Sequence, residues 1–148
     1  MGTRCNLHIT EQGFSCNESF QLYRHLDGYP TSILSSLLKA FKISGGGWQA
    51  GRAGKVAGCI CAAGYDQYEP ESNLQLHSDI EWFYRLTCIN KAGGSLAEKP
   101  IWQVKIYRPK KSFWDNPIKK NMVRVAEGDL IDLAKRADEI EKRVYDDK

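Results

Sequence analysis

The segment from Ile80 to Ile89 constrains the fold more than any other in this 148-residue chain. As a strand it puts Ile80, Trp82, Tyr84, Leu86 and Cys88 on one face and Glu81, Phe83, Arg85, Thr87 and Ile89 on the other. The first face is apolar throughout, and Phe83 and Ile89 make the second partly so. Such a strand needs cover on both sides, from helices of its own chain or from a second protomer in a homodimer.

Its neighbours follow from the same period of two. Arg4 to Thr10 alternates Cys5, Leu7 and Ile9 against Arg4, Asn6, His8 and Thr10. Ser19 to His25 sets Phe20 and Leu22 against Tyr23 and His25 and pairs with the first strand as a hairpin. Ile101 to Tyr107 returns antiparallel to Ile80–Ile89, and Met122 to Ala126 adds a short edge strand. Tyr65 to Ser78, with Pro70, reads as a loop, as do Lys91 to Pro100 and Arg108 to Asn121. Trp48 and Trp102 read as core residues.

Helical spacing appears in three places. Pro30 suits the first turn of a helix whose stripe is Ile33, Leu34, Leu37, Leu38 and Phe41, closed by Ser44-Gly45-Gly46-Gly47. Arg52 to about Ala63 offers Ala53, Val56, Ala57, Ile60 and Ala63. Asp129 caps a final helix with the stripe Leu130, Leu133, Ala134, Ala137, Ile140 and Val144. The expected architecture is one α+β domain spanning 1–148, an antiparallel sheet of about four or five strands with helices mainly on one face.

Composition narrows the class. At 42% hydrophobic and 26% charged residues, the chain is globular. No apolar stretch is long enough to span a bilayer, and the start lacks a signal-peptide core, so a cytoplasmic protein without a membrane partner is expected. Gly2 lacks the downstream Ser or Thr of a myristoylation signal, since Asn6 stands there. The cysteines Cys5, Cys16, Cys59, Cys61 and Cys88 are odd in number and read as reduced, buried small hydrophobes. Gly51-Arg52-Ala53-Gly54-Lys55 fails the phosphate-loop pattern, because Gln49 and Val56 occupy positions that need Gly and Ser or Thr.

Chemistry concentrates in Leu22-Tyr23-Arg24-His25-Leu26-Asp27-Gly28-Tyr29-Pro30. Arg24 suits a phosphate or carboxylate clamp. His25 suits proton transfer, with Asp27 orienting it, and Tyr23 and Tyr29 suit stacking on a base. The same residues also make a plain turn, with Asp27-Gly28 bending the chain and Pro30 opening the helix. A second run, His77, Asp79 and Glu81, shares one face of an extended segment, where Asp79 can orient a histidine. No spacing points to a metal or other cofactor.

The run Tyr23-Arg24-His25-x-Asp27-Gly28-Tyr29-Pro30, with His77-x-Asp79-Ile80-Glu81 downstream, resembles a small prokaryotic and phage family of uncharacterised proteins. Members often carry Trp where this chain has Leu26. The resemblance covers about two-thirds of the chain by motif placement. It implies that the two runs belong together and brings no established activity.

Charge is unevenly spread. Lys99, Lys105, Arg108, Lys110, Lys111, Lys119, Lys120 and Arg124 form a basic stretch opposed only by Asp115, whereas Asp66, Glu69, Glu71, Asp79 and Glu81 form an acidic one. In the basic stretch Lys105, Arg108, Lys110, Lys111, Lys119, Lys120 and Arg124 suit phosphates, and Tyr107, Phe113 and Trp114 suit exposed bases. The expectation is therefore a binder of a phosphate-bearing ligand, a nucleotide or a nucleic acid (RNA or DNA). Arg24 and Arg85 would hold the anion, Tyr23, Tyr29 and His77 would shape the pocket, and the role would be regulatory. Two alternatives stand beside it. One is a phosphate-ester hydrolase or nuclease using His25 with Asp27 or Asp79; the other is a homo-oligomeric interaction module.

Overall fold

A computed structural model describes residues 2–13, 18–45, 51–64, 67–90 and 100–146. Cys16, Trp48, Gln49, Tyr65, Asp66 and Lys99 lie outside them, as do Gly46 and Gly47, and the Val144 side chain is not described. The described strands are β1 (Cys5–Gln12), β2 (Ser19–Arg24), β3 (Tyr68–Glu71), β4 (Trp82–Ile89), β5 (Ile101–Pro109) and β6 (Met122–Asp129). They form one six-stranded sheet in the order β3-β2-β1-β4-β5-β6. The helices are α1 (Pro30–Ser44), α2 (Ala53–Gly64), α3 (Leu130–Lys135) and α4 (Ala137–Asp146).

The α+β class and the hairpins β1–β2 and β4–β5 are as the sequence predicts. The sheet is mixed rather than purely antiparallel. β4 lies parallel to β1, with Cys5 opposite Trp82 and Ile9 opposite Leu86. The reason is topological: the chain leaves the β1–β2 hairpin through α1 and α2, and a crossover of that length lets a strand return in parallel. The sixth strand is β3, inside the segment read as a loop. It takes the outer position beside β2, where Pro70 is tolerated because an edge strand has donors to spare.

Cys5, Leu7 and Ile9 of β1, Leu22 of β2 and Trp82, Tyr84, Leu86 and Cys88 of β4 pack against the helices. Those helices present Ile33, Leu34, Leu37, Val56, Ile60, Leu133 and Ile140. Cys5, Cys59 and Cys88 are buried, and burial pushes the Cys5 thiol up to about 12. Asp129 caps α3 by accepting a hydrogen bond from the Ile131 amide at 2.9 Å. The expected final helix breaks at Arg136, whose amide reaches back to Leu133 O.

The opposite face of the sheet carries a second apolar cluster of Tyr23, Leu76, Ile80, Phe83, Tyr107, Phe113 and Met122. No α-helix among the described residues contributes to it; the segments 72–80 and 110–121, the latter with Phe113 on a short 3-10 turn, supply the cover around Phe83. Ile80 belongs here, not with Trp82, because β4 starts only at Trp82 after a bend at Glu81. The need for cover on Phe83 is therefore met within one chain.

Candidate functional site

The two polar runs meet at the β2–β3 edge. Alternation along β2 points Gln21 and Tyr23 to the helix-free face, while Leu22 and Arg24 point to the helices. The Tyr23 ring stacks on His77 with centroids 4.0 Å apart and planes 15° from parallel. His25 meets the same ring edge-on at 4.5 Å. The Tyr23 hydroxyl donates to the Asp79 carboxylate at 3.1 Å, and Arg4 pairs with the same carboxylate at 3.4 Å. Burial and then the Asp79 contact push the Tyr23 phenol up to about 12. His77 contacts Glu71 through Nε2, and its amide donates to Asn6 Oδ1 at 2.9 Å. His25 faces Glu69 at 3.3 Å on the exposed surface.

Arg24 is elsewhere. It is 5% exposed on the helix side, where Nε donates to Leu26 O at 2.7 Å and Nη1 to the Tyr68 hydroxyl at 3.1 Å. Asp27 is exposed and holds a left-handed turn, φ 56°, and Tyr29 is the half-buried N-cap of α1. The structure thus joins Tyr23, His25, His77 and Asp79, and separates Arg24, Asp27 and Tyr29 from them.

Arg85 occupies a different setting. Register places it opposite His8 on β1 and Lys105 on β5, while His8 stands opposite Gln21 on β2. Gln21, His8, Arg85 and Lys105 thus form one row across four strands on the helix-free face. Lys119 approaches the row from the 110–121 segment. Arg85 has no ion-pair partner among the described residues. Lys105 reaches Glu127 only at 4.0 Å. Burial, then the charges of Arg85 and Lys119, hold the His8 imidazole below its usual range. Burial, then Arg85 and Lys105, do the same to the Lys119 ammonium.

Over the Gln21–His8 end of this row lies an open cleft of about 280 Å³, lined by His8, Gln21, Phe83 and Lys119 with Leu74, Gln75, Leu76, Pro117 and Ile118. Leu74 and Ile118 are exposed on the two segments that border it. Two polar atoms of residues that line it, His8 Nε2 and Gln21 Oε1, are buried away from solvent and have no hydrogen-bond partner among the described residues. The side-chain amide of Gln21 is committed on its other end, where Nε2 donates to Glu71 Oε1 at 3.1 Å and to Gln75 O at 2.7 Å.

Arg85, Lys105 and the other described residues of the basic segment apart from Pro117, Ile118 and Lys119 stand outside the cleft lining. Arg108 stacks over the Trp82 ring at 4.6 Å, whereas Lys110, Lys111 and Trp114 are exposed around the buried anchor Phe113. His8 and Gln21 were missed from sequence as site residues, whereas Lys119 was expected to contact phosphate as part of the basic segment. His8 had a legible signal, since alternation places it on the polar face of β1; for Lys119 the basic stretch gave the charge, and only folding brings it near Arg85. Among the described residues, no group of three or more His, Cys, Asp or Glu side chains can hold a metal ion. No helix in the described residues is long and apolar enough to cross a membrane. No protein-family model matches the sequence, and no curated protein or solved structure matches it.

Proposed function

We propose that the chain binds a phosphate-bearing ligand, a nucleotide or a nucleic acid, on the helix-free face of its sheet. The observation that carries the reading is a cluster of basic groups: His8 and Lys119 line one cleft, and Arg85 and Lys105 follow His8 in the register row beside it, with Arg85 unopposed by a carboxylate among the described residues. Cations gathered this way repel one another, and that repulsion adds to burial, the larger cause, in lowering the pKa of His8 and Lys119. A phosphate relieves it and gains charge-assisted hydrogen bonds from a guanidinium and an ammonium.

Hydrolysis at His25 finds less support. Arg24, the cation expected to hold the phosphate there, is buried against Leu26 and Tyr68, and His25 faces Glu69 instead. The acidic surroundings of Tyr23 and His77 repel a phosphate.

The test is an NMR titration of the chain with inorganic phosphate, following the Arg85 Nε–H and His8 ring signals. Both shift in the native chain, and Arg85→Ala weakens binding about tenfold or more. Absence of any shift at His8 and Arg85, or equal binding by Arg85→Ala, rejects the reading.

A further inference from the structure

The segment 110–121 carries the largest apolar side chain that the described fold leaves in water. Trp114 is 52% exposed, whereas Trp82 and Trp102 are buried in the core. The one ring it meets among the described residues is Phe113, with centroids 6.4 Å apart. The indole is not on a loose arm. Phe113, its neighbour in the chain, is fully buried in the helix-free cluster. The Lys110 amide donates to Asn121 O at 2.9 Å, which ties the ends of the segment, and Asn121 Nδ2 donates to Asn116 O at 2.8 Å. A platform held this way loses little conformational freedom when something docks on it.

Cations surround the indole. Lys110, Lys111, Lys119 and Lys120 are exposed on this segment, and none of them forms an ion pair among the described residues. Asp115 is the one acidic residue between them. Lys119 also lines the cleft and senses the charges of Arg85 and Lys105, so the positive field continues outward from that cluster onto the segment. The other border of the cleft, segment 72–80, joins the acidic edge of Glu69, Glu71 and Asp79, which repels a polyanion. The field therefore has one favourable exit from the cleft, across 110–121.

A lone phosphate occupies one point of this field and leaves Lys110, Lys111, Lys120 and Trp114 unused. A nucleic-acid strand brings a phosphate and a flat base at every nucleotide and engages both kinds of group. A duplex hides its base faces in its own stack, so an exposed indole favours unpaired bases. A bilayer fits less well, because inserting Trp114 carries Asp115 and Asn116, next to it in the chain, toward the hydrocarbon. Resting on the phosphate-binding reading, we infer that the ligand is a single strand of RNA or DNA, whose backbone passes from Arg85 and Lys119 across the 110–121 segment and one of whose bases stacks on Trp114.

The experiment titrates the intact chain with fluorescein-labelled ten-nucleotide oligothymidylate and oligouridylate, followed by anisotropy. Thymidine 5′-monophosphate, a ten-base-pair DNA duplex, inorganic phosphate and phosphatidylserine vesicles are measured beside them. The strands are expected to bind about a hundredfold more tightly than the mononucleotide at low salt, and more tightly than the duplex. Trp114→Ala weakens strand binding about tenfold and leaves phosphate binding unchanged, and Trp114→Phe, which keeps an aromatic face, retains most of the affinity. Lys110→Gln with Lys111→Gln lowers the slope of log affinity against log salt by about 1.4. If the strands bind no more tightly than the mononucleotide, or Trp114→Ala binds them equally well, the inference is overturned while the phosphate site survives. If vesicles bind through Trp114 and the strands do not, an anionic membrane replaces the strand; if the duplex binds more tightly, a duplex replaces it. If inorganic phosphate does not bind in an Arg85-dependent way, the underlying functional reading is the one that fails.

Discussion

His8 and Arg85 are register partners on the parallel strands β1 and β4, so an imidazole and a guanidinium share one face of the sheet. Such a pair is stable without a counter-ion only if the imidazole gives up its proton readily, and His8 is held below its ordinary value of 6.5.

That shift has a definite pH consequence. The unfolded chain takes up a proton at His8 near 6.5, while the folded chain does so only at lower pH. Stability is therefore lost as pH falls from about 6.5 through the folded value, because the unfolded state binds more protons there. Arg85→Ala raises the His8 titration midpoint partway, since burial, the larger cause, remains. Phosphate raises it as well, so binding near neutral pH takes up protons. Histidine NMR titration with and without phosphate reads all three; an unmoved His8 midpoint in Arg85→Ala refutes the electrostatic account.

Phe83 anchors the helix-free cluster at 2% exposure. Phe83→Ala is expected to cost about 3–5 kcal/mol, by lost burial plus the cavity left behind. Segments 72–80 and 110–121 lose amide-exchange protection before the helices do. Denaturant melts with hydrogen exchange check this, and a cost below about 1 kcal/mol would mean that Phe83 is not holding the two segments.

At the Tyr23 site the sign is opposite. An unfolded tyrosine ionises near 10, but Tyr23 in the fold does so only at about 12. The contribution is complete below pH 10 and is lost as pH rises from 10 to about 12, because the folded state keeps its proton longer. Tyr23→Phe abolishes this alkaline loss and costs about 0.5–1.5 kcal/mol at neutral pH through the missing hydrogen bond to Asp79. Stability curves at pH 8 and pH 11 make the comparison.

Asp27 separates turn from chemistry. Its φ of 56° is a conformation that glycine adopts freely and aspartate tolerates. Asp27→Gly keeps full stability and full phosphate binding, whereas Asp27→Val costs about 1–2 kcal/mol. A large drop in binding by Asp27→Gly, measured on folded protein, would restore Asp27 to the site.

Asp129 as a helix cap, the stripe of α1 and the alternation of β1, β2 and β4 were legible in the sequence. Each rests on residues two to four apart, whose relative directions the backbone repeat sets. By the same rule Arg24 shares a face with Leu22, so its burial on the helix side was also readable. Two runs singled out together, Tyr23-His25 and His77-Asp79, do meet, but their chemistry alone did not say that acidic partners would surround them. Other features depend on contacts between distant segments. The parallel return of β4 beside β1 needs the α1–α2 crossover, and β3 becomes a strand because the edge of β2 is open to it. Lys119 comes over Arg85 only when the 110–121 segment folds back across Phe83. The local repeat decided which side chains face which way; which strands became neighbours, and so which charges came to share a cleft, was decided by the burial of two apolar faces at once.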